Sequence, residues 1–304
     1  MATRDGFGRA LEALGDKYDF YVLCADLAES TRTMYFKEKH PERFIECGIA
    51  ESNMVSVAAG IASTGTPAIV STYAMFAAGR AYEQIRNSVG YPHLNVKIGA
   101  THAGLSVGED GATHQCLEDI ALMRVIPGMT VISPCDGLEA KKAVEASLNI
   151  DGPVYIRLGR AATPIITTQD SEFEIGKGIV LKDDGDYTIF ATGILVNEAV
   201  KAAELLEEQG IKVSVINIHT IKPLDEALVV EYAKKSKKIF TLEEHSVIGG
   251  LGSAILECLS DKVPVNLMRI GVNDRFGISG NVNQLLDHFE LTAPHVAKKI
   301  ADNI

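Results

Sequence analysis

The segment richest in chemically active side chains is GATHAGLSVGEDGATHQ, residues 99–115, which carries His102, Glu109, Asp110 and His114 among four glycines. A loop of this length in a compact domain is typically functional or disordered, and its glycines permit close backbone approach or positive φ. The pair of histidines favours proton transfer or the binding of an oxyanion-rich substrate. A metal site is the weaker alternative, because the spacing matches no H-E-x-x-H pattern and the side chains share no helical face.

A single carboxylate, Glu51, opens a predicted helix over residues 51–63 that is built mainly from Ala, Gly, Val, Met and Ser. An acid in the first helical turn gains about 0.3–1 kcal/mol from the helix dipole, which is its ordinary explanation. The helix is apolar on nearly every face, however, so we expect it to be buried together with its carboxylate. A carboxylate buried alone among Ala and Gly must find a partner, take up a proton or serve chemistry. Glu51 is therefore a candidate functional residue.

Two further polar or aromatic clusters stand where predicted strands end. CADLAEST at 24–31 carries Asp26 and Ser30, for which helix capping is the ordinary role. STYAMF at 71–76 carries Tyr73 and Phe76, and aromatic side chains in such a place are more often core than a stacking platform. Both clusters are nevertheless candidates for a site, because open α/β sheets bind ligands at the carboxyl ends of their strands.

The elements that would position these residues alternate between strand and helix in the first half of the chain. The predicted strands are 20–24, 43–46, 68–71, 95–100, 130–133 and 154–158. The predicted helices lie near 7–14, 51–63, 76–89, 114–123 and 137–148. This alternation predicts a mostly parallel sheet that is covered on both faces.

A second α/β unit follows a change of composition after Arg160. Residues 161–178 lack an apolar period and predict a linker with an entry hairpin. Strands are then predicted at 187–192, 212–218 and 237–244, and helices at 197–209, from 224, and through 258. The glycine turn VIGGLG at 247–252 does not match G-x-G-x-x-G, so we interpret it as structural and not as a nucleotide site. The predicted fold is α/β with two doubly wound domains, residues 1–165 and 175–304.

Composition excludes several classes of protein. The 304 residues are 46% hydrophobic and carry 29 Lys and Arg against 40 Asp and Glu, a net charge of −11 that disfavours nucleic acid. No apolar run approaches the ~20 residues that span a membrane, and the N-terminal stretch lacks a signal core, so we expect a cytoplasmic protein. The five cysteines have no CxxC spacing, which argues against a disulfide framework or a structural zinc site.

These motifs together resemble those of the transketolase family of thiamine diphosphate enzymes. GIAE at 48–51, before its Ala/Gly-rich helix, resembles the pyrimidine-binding glutamate motif of that family. GEDGATHQ at 108–115 is similar to the family's GEDGPTHQ loop. ATRDGF at 2–7, CADLAES at 24–30 and YIRLGR at 155–160 are similar to further family segments, so the resemblance covers the whole chain in order.

The resemblance extends only to the pyrimidine-binding and C-terminal domains of the family. The family's N-terminal domain carries a GDG…N motif for Mg²⁺ and the diphosphate, and no such motif is present, since DDGD at 183–186 is predicted in a hairpin and lacks the downstream Asn. The chain thus resembles the C-terminal subunit of a split transketolase. This implies an N-terminal partner subunit that binds Mg²⁺ and shares thiamine diphosphate, and a dimer within a two-plus-two complex.

The resemblance also implies a role for each site residue. Glu51 would drive tautomerisation of the cofactor, with Phe76, Tyr73 and Asp26 as further cofactor contacts. His102 and His114 would act on substrate hydroxyls. The remaining substrate contacts would be Asp110 on a hydroxyl and Arg4, Ser30 and Arg160 on the phosphate. This chain would supply no metal ligand, and Gly79 stands where the family has an aromatic residue.

Three alternatives remain open on the sequence. Deoxyxylulose-phosphate synthases share the two-domain layout and a THQ loop, but usually differ at the position of His102. The beta subunits of 2-oxoacid dehydrogenases share a GIAE-like segment without GEDGATHQ. A non-catalytic regulatory partner of a complete transketolase is the third, against which the intact Glu51, His102 and His114 argue, because buried polar groups are costly to keep.

Overall fold

The computed structural model describes all 304 residues and contains two sheets. The strands in chain order are β1 (Tyr21–Cys24), β2 (Phe44–Glu46), β3 (Ala68–Tyr73), β4 (Val96–Thr101), β5 (Thr130–Ile132), β6 (Val154–Arg157), β7 (Ile179–Lys182), β8 (Tyr187–Ala191), β9 (Val213–Asn217), β10 (Thr220–Lys222), β11 (Lys238–Ser246) and β12 (Leu267–Val272). The larger sheet has the order β10-β5-β6-β4-β3-β1-β2, and the smaller has the order β12-β11-β8-β9-β7.

Helices cover both sheets. They are α1 (Thr3–Leu14), α2 (Ala28–Thr31), α3 (Met34–Lys39), α4 (Glu51–Ser63), α5 (Tyr82–Gln84), α6 (Asp119–Arg124), α7 (Gly137–Leu148), α8 (Val196–Glu207), α9 (Glu226–Lys235), α10 (Leu251–Leu259), α11 (Val282–His288) and α12 (Ala293–Ala301). The helix predicted over 76–89 is not regular, because π-helical segments Phe76–Arg80 and Ile85–Gly90 flank α5. None of the helices is both long and apolar enough to cross a membrane.

The predicted α/β architecture is confirmed. Within the larger sheet, β1 to β6 pair in parallel, and only the edge strand β10 runs antiparallel, against β5. In the smaller sheet, β8, β9, β11 and β12 are parallel and β7 is an antiparallel edge. β10 follows β9 of the smaller sheet in sequence, so the chain returns to the larger sheet there. One apolar cluster of 39 buried residues accordingly runs through both units.

Three expectations about local structure are wrong. The helix predicted from residue 114 begins only at Asp119, because residues 109–114 form turns. No hairpin forms in residues 161–178, and DDGD at 183–186 joins β7 to β8, which are separated in the sheet by β9. The helix α4 is buried on one side only, and its exposed stripe consists of Asn53, Ser56, Gly60 and Ser63. Short polar side chains and a glycine explain why hydropathy alone suggested a fully buried helix.

Candidate active site

The candidate site lies where β3 and β4 end side by side in the larger sheet. Their parallel register pairs Tyr73 with Thr101, so His102, the next residue, emerges beside Tyr73. The two rings stack with centroids 3.8 Å apart and planes at 22°. His102 has a φ of 55°, which turns the chain into the loop that follows. The sheet register therefore brings together two candidates that are 29 residues apart in the sequence.

Two more rings complete an aromatic cluster. Phe76 stacks on Tyr73 at 5.5 Å, and His114 meets the Phe76 ring edge-on at the same centroid distance. His114 also lies 6.2 Å from the Tyr73 centroid, and its Nδ1 is 2.9 Å from the Thr113 hydroxyl. The long glycine-containing loop returns to the site after His102, and this return places both histidines against the same tyrosine. Four predicted site residues are thus neighbours.

The imidazole of His102 is almost fully buried, with 2% of the residue exposed. Burial lowers the pKa of His102 to about 3, and the guanidinium groups of Arg4 and Arg160 add to the effect. Nη1 of Arg4 lies 3.3 Å from Nε2, and the Thr101 hydroxyl lies 3.0 Å from Nδ1. Arg4 can only donate, so we assign Nε2 as the acceptor and Nδ1 as the protonated nitrogen. His102 is therefore a neutral hydrogen-bonding group at neutral pH.

Cationic side chains surround His102. Arg4 donates to the Ser30 carbonyl at 2.9 Å, and Arg160 donates to Glu109 at 2.8 Å and to the Val107 carbonyl at 2.7 Å. Burial lowers the pKa of Arg4, and the nearby Arg32 lowers it further. Nε of Arg4 is buried without a hydrogen-bond partner. Clustered guanidinium groups with donors to spare suit an anion such as phosphate.

The sequence did not single out Arg32. It pairs with Asp5 at 2.7 Å and has a left-handed backbone, with φ of 68°. The only available signal was its position two residues after Ser30, since neither the ion pair nor the backbone conformation is visible in a local pattern.

Glu51 is buried, with 1% of the residue exposed, but it is not alone as the sequence suggested. Nη1 of Arg80 donates to both carboxylate oxygens, at 2.9 and 3.2 Å. The Arg80 guanidinium also lies 4.8 Å above the centre of the Phe76 ring. Arg80 thus joins the carboxylate at the start of α4 to the aromatic cluster. Sequence reasoning missed Arg80 because it is 29 residues from Glu51 and its side chain is half exposed.

Two predicted site residues stand apart from this cluster. Asp26 is exposed, with φ of 58°, and its backbone N–H donates to Glu46 at 2.7 Å. It shares with Ser30 a surface depression of about 300 Å³. Asp110 is exposed in the turn after Gly108. No group of three or more His, Cys, Asp or Glu side chains is arranged to hold a metal ion.

The fold and the candidate site define a class, that of two-unit α/β proteins in which aromatic rings, histidines and guanidinium groups meet at the carboxyl edge of a parallel sheet. Two family models match the chain. The model of the transketolase pyrimidine-binding domain matches residues 1–165, and the model of the transketolase C-terminal domain matches residues 176–296. The chain belongs to the transketolase family.

Individual relatives support the same assignment. A putative transketolase C-terminal section from Methanocaldococcus jannaschii is 49% identical over 99% of this chain and 96% of its own length. The 6-deoxy-6-sulfo-D-fructose transketolase subunit SqwH of a Clostridium species is 43% identical over 97% of this chain and 92% of its own. A solved structure described as a split gene transketolase, inactive beta4 tetramer, superposes with a TM-score of 0.91 at 46% identity, covering 99% of this chain and 97% of that one. These findings confirm the resemblance to split transketolase subunits.

Proposed function

We propose that this chain is the C-terminal subunit of a two-chain transketolase that transfers a two-carbon ketol unit between sugar phosphates. The observation that carries the proposal is the arrangement of neutral His102 between an aromatic cluster and the Arg4 guanidinium. A sugar phosphate needs both hydroxyl-binding groups and a phosphate-binding group in one place. His102 and His114 meet the first need, while Arg4, Arg160 and the Ser30 segment meet the second.

The residues of this chain also fit the aminopyrimidine half of thiamine diphosphate. The flat, delocalised guanidinium of Arg80 contacts both the Glu51 carboxylate and the Phe76 ring. A flat ring with a protonatable nitrogen fits the same two neighbours, with Phe76 for stacking and Glu51 for the nitrogen. When bound, thiamine diphosphate would supply the nucleophilic carbon and the electron sink for transfer of the two-carbon unit. Tyr73 extends the stacking surface. Asp26, the remaining predicted cofactor contact, lies apart from the aromatic cluster.

Each residue of the chain then has a defined task in the proposed reaction. Glu51 would hydrogen-bond to the ring nitrogen through its carboxyl group and exchange a proton with it, in a setting from which burial excludes water. His102, kept neutral, would accept a hydrogen bond at Nε2 from a substrate hydroxyl that takes the place of the Arg4 donor. His114, which lies edge-on to Phe76, would bind a second hydroxyl. Asp110, exposed on the same loop, would bind a further substrate hydroxyl, and Arg4 and Arg160 would hold the phosphate in place.

We further propose that a separate N-terminal subunit binds Mg²⁺ and the diphosphate, in a complex with two copies of each chain. The absence of a GDG…N motif supports this, as does the description of one relative as a C-terminal section. The tetramer of a related split-gene chain is described as inactive, which supports a need for the partner. We place the boundary between the two domains in residues 166–175, which neither family model covers.

The test is reconstitution. The chain is co-expressed with a partner that carries GDG…N and is assayed for ketol transfer with thiamine diphosphate and Mg²⁺, with each chain alone as the control. Transfer by the complex only is the expected result. Because SqwH is named for a sulfonated sugar, a 6-sulfo ketose is assayed beside the sugar phosphates. Transfer by the chain alone, or no transfer by the complex with any of these donors, would contradict the proposal.

A further inference from the structure

Three consecutive side chains at the end of β11 are buried and have no part in the proposed reaction: Glu243, Glu244 and His245. Glu243 serves its own domain, because it accepts the backbone N–H groups of Leu251 and Gly252 at the start of α10, at 2.6 and 2.9 Å. Glu244 points the other way, into the loop of the first domain that carries both active-site histidines. Two adjacent glutamates therefore make their contacts in different domains.

The carboxylate of Glu244 holds the middle of that loop through Ser106. It accepts the Ser106 backbone N–H with one oxygen and faces the Ser106 hydroxyl at 3.3 Å with the other. Both residues are buried, so these bonds are shielded from water. Gly104, with φ of +77°, makes room for the contact, because a Cβ there would lie under 3.0 Å from the Glu244 carboxyl group. The close approach therefore requires a glycine on sterics as well as on backbone conformation.

The backbone of Glu244 is fixed as firmly as its side chain. Its carbonyl accepts a hydrogen bond from Arg157 at 2.8 Å. Arg157 is paired with the fully buried Asp119 at 2.9 Å, and Asp119 also accepts the Tyr155 hydroxyl at 2.9 Å. Glu244 is thereby tied to β6 and α6 of the first domain. A buried network in which every member has a partner resists displacement, so Glu244 is a rigid anchor.

Ser106, the residue that Glu244 anchors, lies between His102 and the point of the loop that binds Arg160. Ser106 follows His102 by four residues, and the next residue, Val107, accepts the Arg160 guanidinium through its carbonyl at 2.7 Å. We infer that Glu244, supplied by the C-terminal domain, is a positioning residue that sets the places of His102 and Arg160 for the sugar phosphate. The expected effect on KM rests on the proposed function, whereas the expected effect on the position of the loop does not.

Loss of the carboxylate would leave a buried N–H and a buried hydroxyl without their acceptor, so the loop would rearrange to recover partners. Small displacements of positioned groups cost up to roughly 100-fold in catalysis. We therefore expect Glu244→Ala to raise the KM for the sugar phosphate roughly 10- to 100-fold in the reconstituted complex, with a smaller fall in kcat. Glu244→Gln, which can accept the N–H and donate to the hydroxyl, should restore KM to within about threefold.

The matched control is Glu243→Ala, which removes the same side chain from the adjacent, equally buried position. Kinetics of the three variants are combined with melting temperatures and with hydrogen exchange of residues 102–108 in the free chain. Exchange in this segment should rise in Glu244→Ala and not in Glu243→Ala, while both variants lose thermal stability. If Glu244→Ala does not fold, Glu244→Asp replaces it, because the shorter side chain keeps the charge but withdraws it from Ser106.

Equal changes in KM and in loop exchange for the Glu243 and Glu244 variants would overturn the inference, since Glu244 would then only stabilise the fold. An unchanged KM in Glu244→Ala would overturn it as well. If the wild-type complex transfers no ketol unit, the proposed function fails, and exchange at residues 102–108 alone then decides whether Glu244 anchors the loop.

Discussion

Replacing Gly60 by Leu should weaken association of the chain and at the same time raise the stability of the monomer slightly. Gly60 lies in α4 on the exposed stripe with Asn53, Ser56 and Ser63, at spacings of three and four residues that share one helical face. A Cβ built on Gly60 meets no atom within 4 Å. The isolated chain therefore has room for the larger side chain without a steric cost.

The two effects have opposite signs because they act in different states. In a helix interior Gly is about 0.8–1.0 kcal/mol less favourable than Ala, and Leu is close to Ala, so the monomer should gain about 0.5–1 kcal/mol. Small residues on a helix allow a neighbouring subunit to approach closely, and an added isobutyl group in a packed contact costs about 1–3 kcal/mol. The dissociation constant should therefore rise roughly 5- to 150-fold.

Sedimentation velocity of the chain with and without its partner measures the association, and thermal melting of the dilute chain measures monomer stability. Gly60→Ala is the control, since it makes the same gain in helix propensity and adds only a methyl group. An unchanged dissociation constant for Gly60→Leu would show that the stripe is not an interface. A lower melting temperature of the dilute Leu variant would refute the packing argument itself.

Three further predictions follow from the site. Glu51→Gln keeps the shape of the side chain but cannot exchange a carboxyl proton, so turnover of the reconstituted complex should fall about 10²–10⁴-fold. The circular dichroism spectrum should be unchanged. Near-full activity would show that Glu51 is only an acid at the start of a helix. Because burial holds the pKa of His102 at about 3 in the folded chain against 6.5 in the unfolded one, folding stability is lost as pH falls from 6.5 towards 3. Between pH 7 and pH 5, the free energy of unfolding measured in urea should fall about 2 kcal/mol less for His102→Asn than for the wild-type chain. An equal fall in both proteins would contradict the burial effect. Calorimetric titration of the isolated chain with thiamine diphosphate and Mg²⁺ should show weak or no binding, whereas the complex should bind tightly, and tight binding by the isolated chain would refute the two-subunit proposal.

Much of the fold could be predicted because its elements are specified by short stretches of sequence. Alternating apolar runs marked β1 to β6, and the helices over residues 51–63 and 137–148 begin and end where their patterns do. Long-range pairing escaped prediction. β10 follows β9 of the smaller sheet but pairs with β5 of the larger one, and a three-residue strand has no pattern long enough to indicate its partner.

The candidate site, like the fold, was predictable from the sequence only in part. The sequence by itself identified Glu51, His102 and His114, because a lone acid in an apolar helix and a glycine-rich loop with two histidines are local signals. Only the tertiary structure decided their partners: Arg80 lies 29 residues from the carboxylate it neutralises, and Glu244 lies 138 residues from the serine it holds. Ion pairs and buried hydrogen bonds form between whichever groups packing brings within about 3 Å, and packing depends on the register of the whole sheet. Residue types therefore indicated the proposed chemistry, and the fold determined the geometry of the candidate groups and the neutral state of His102.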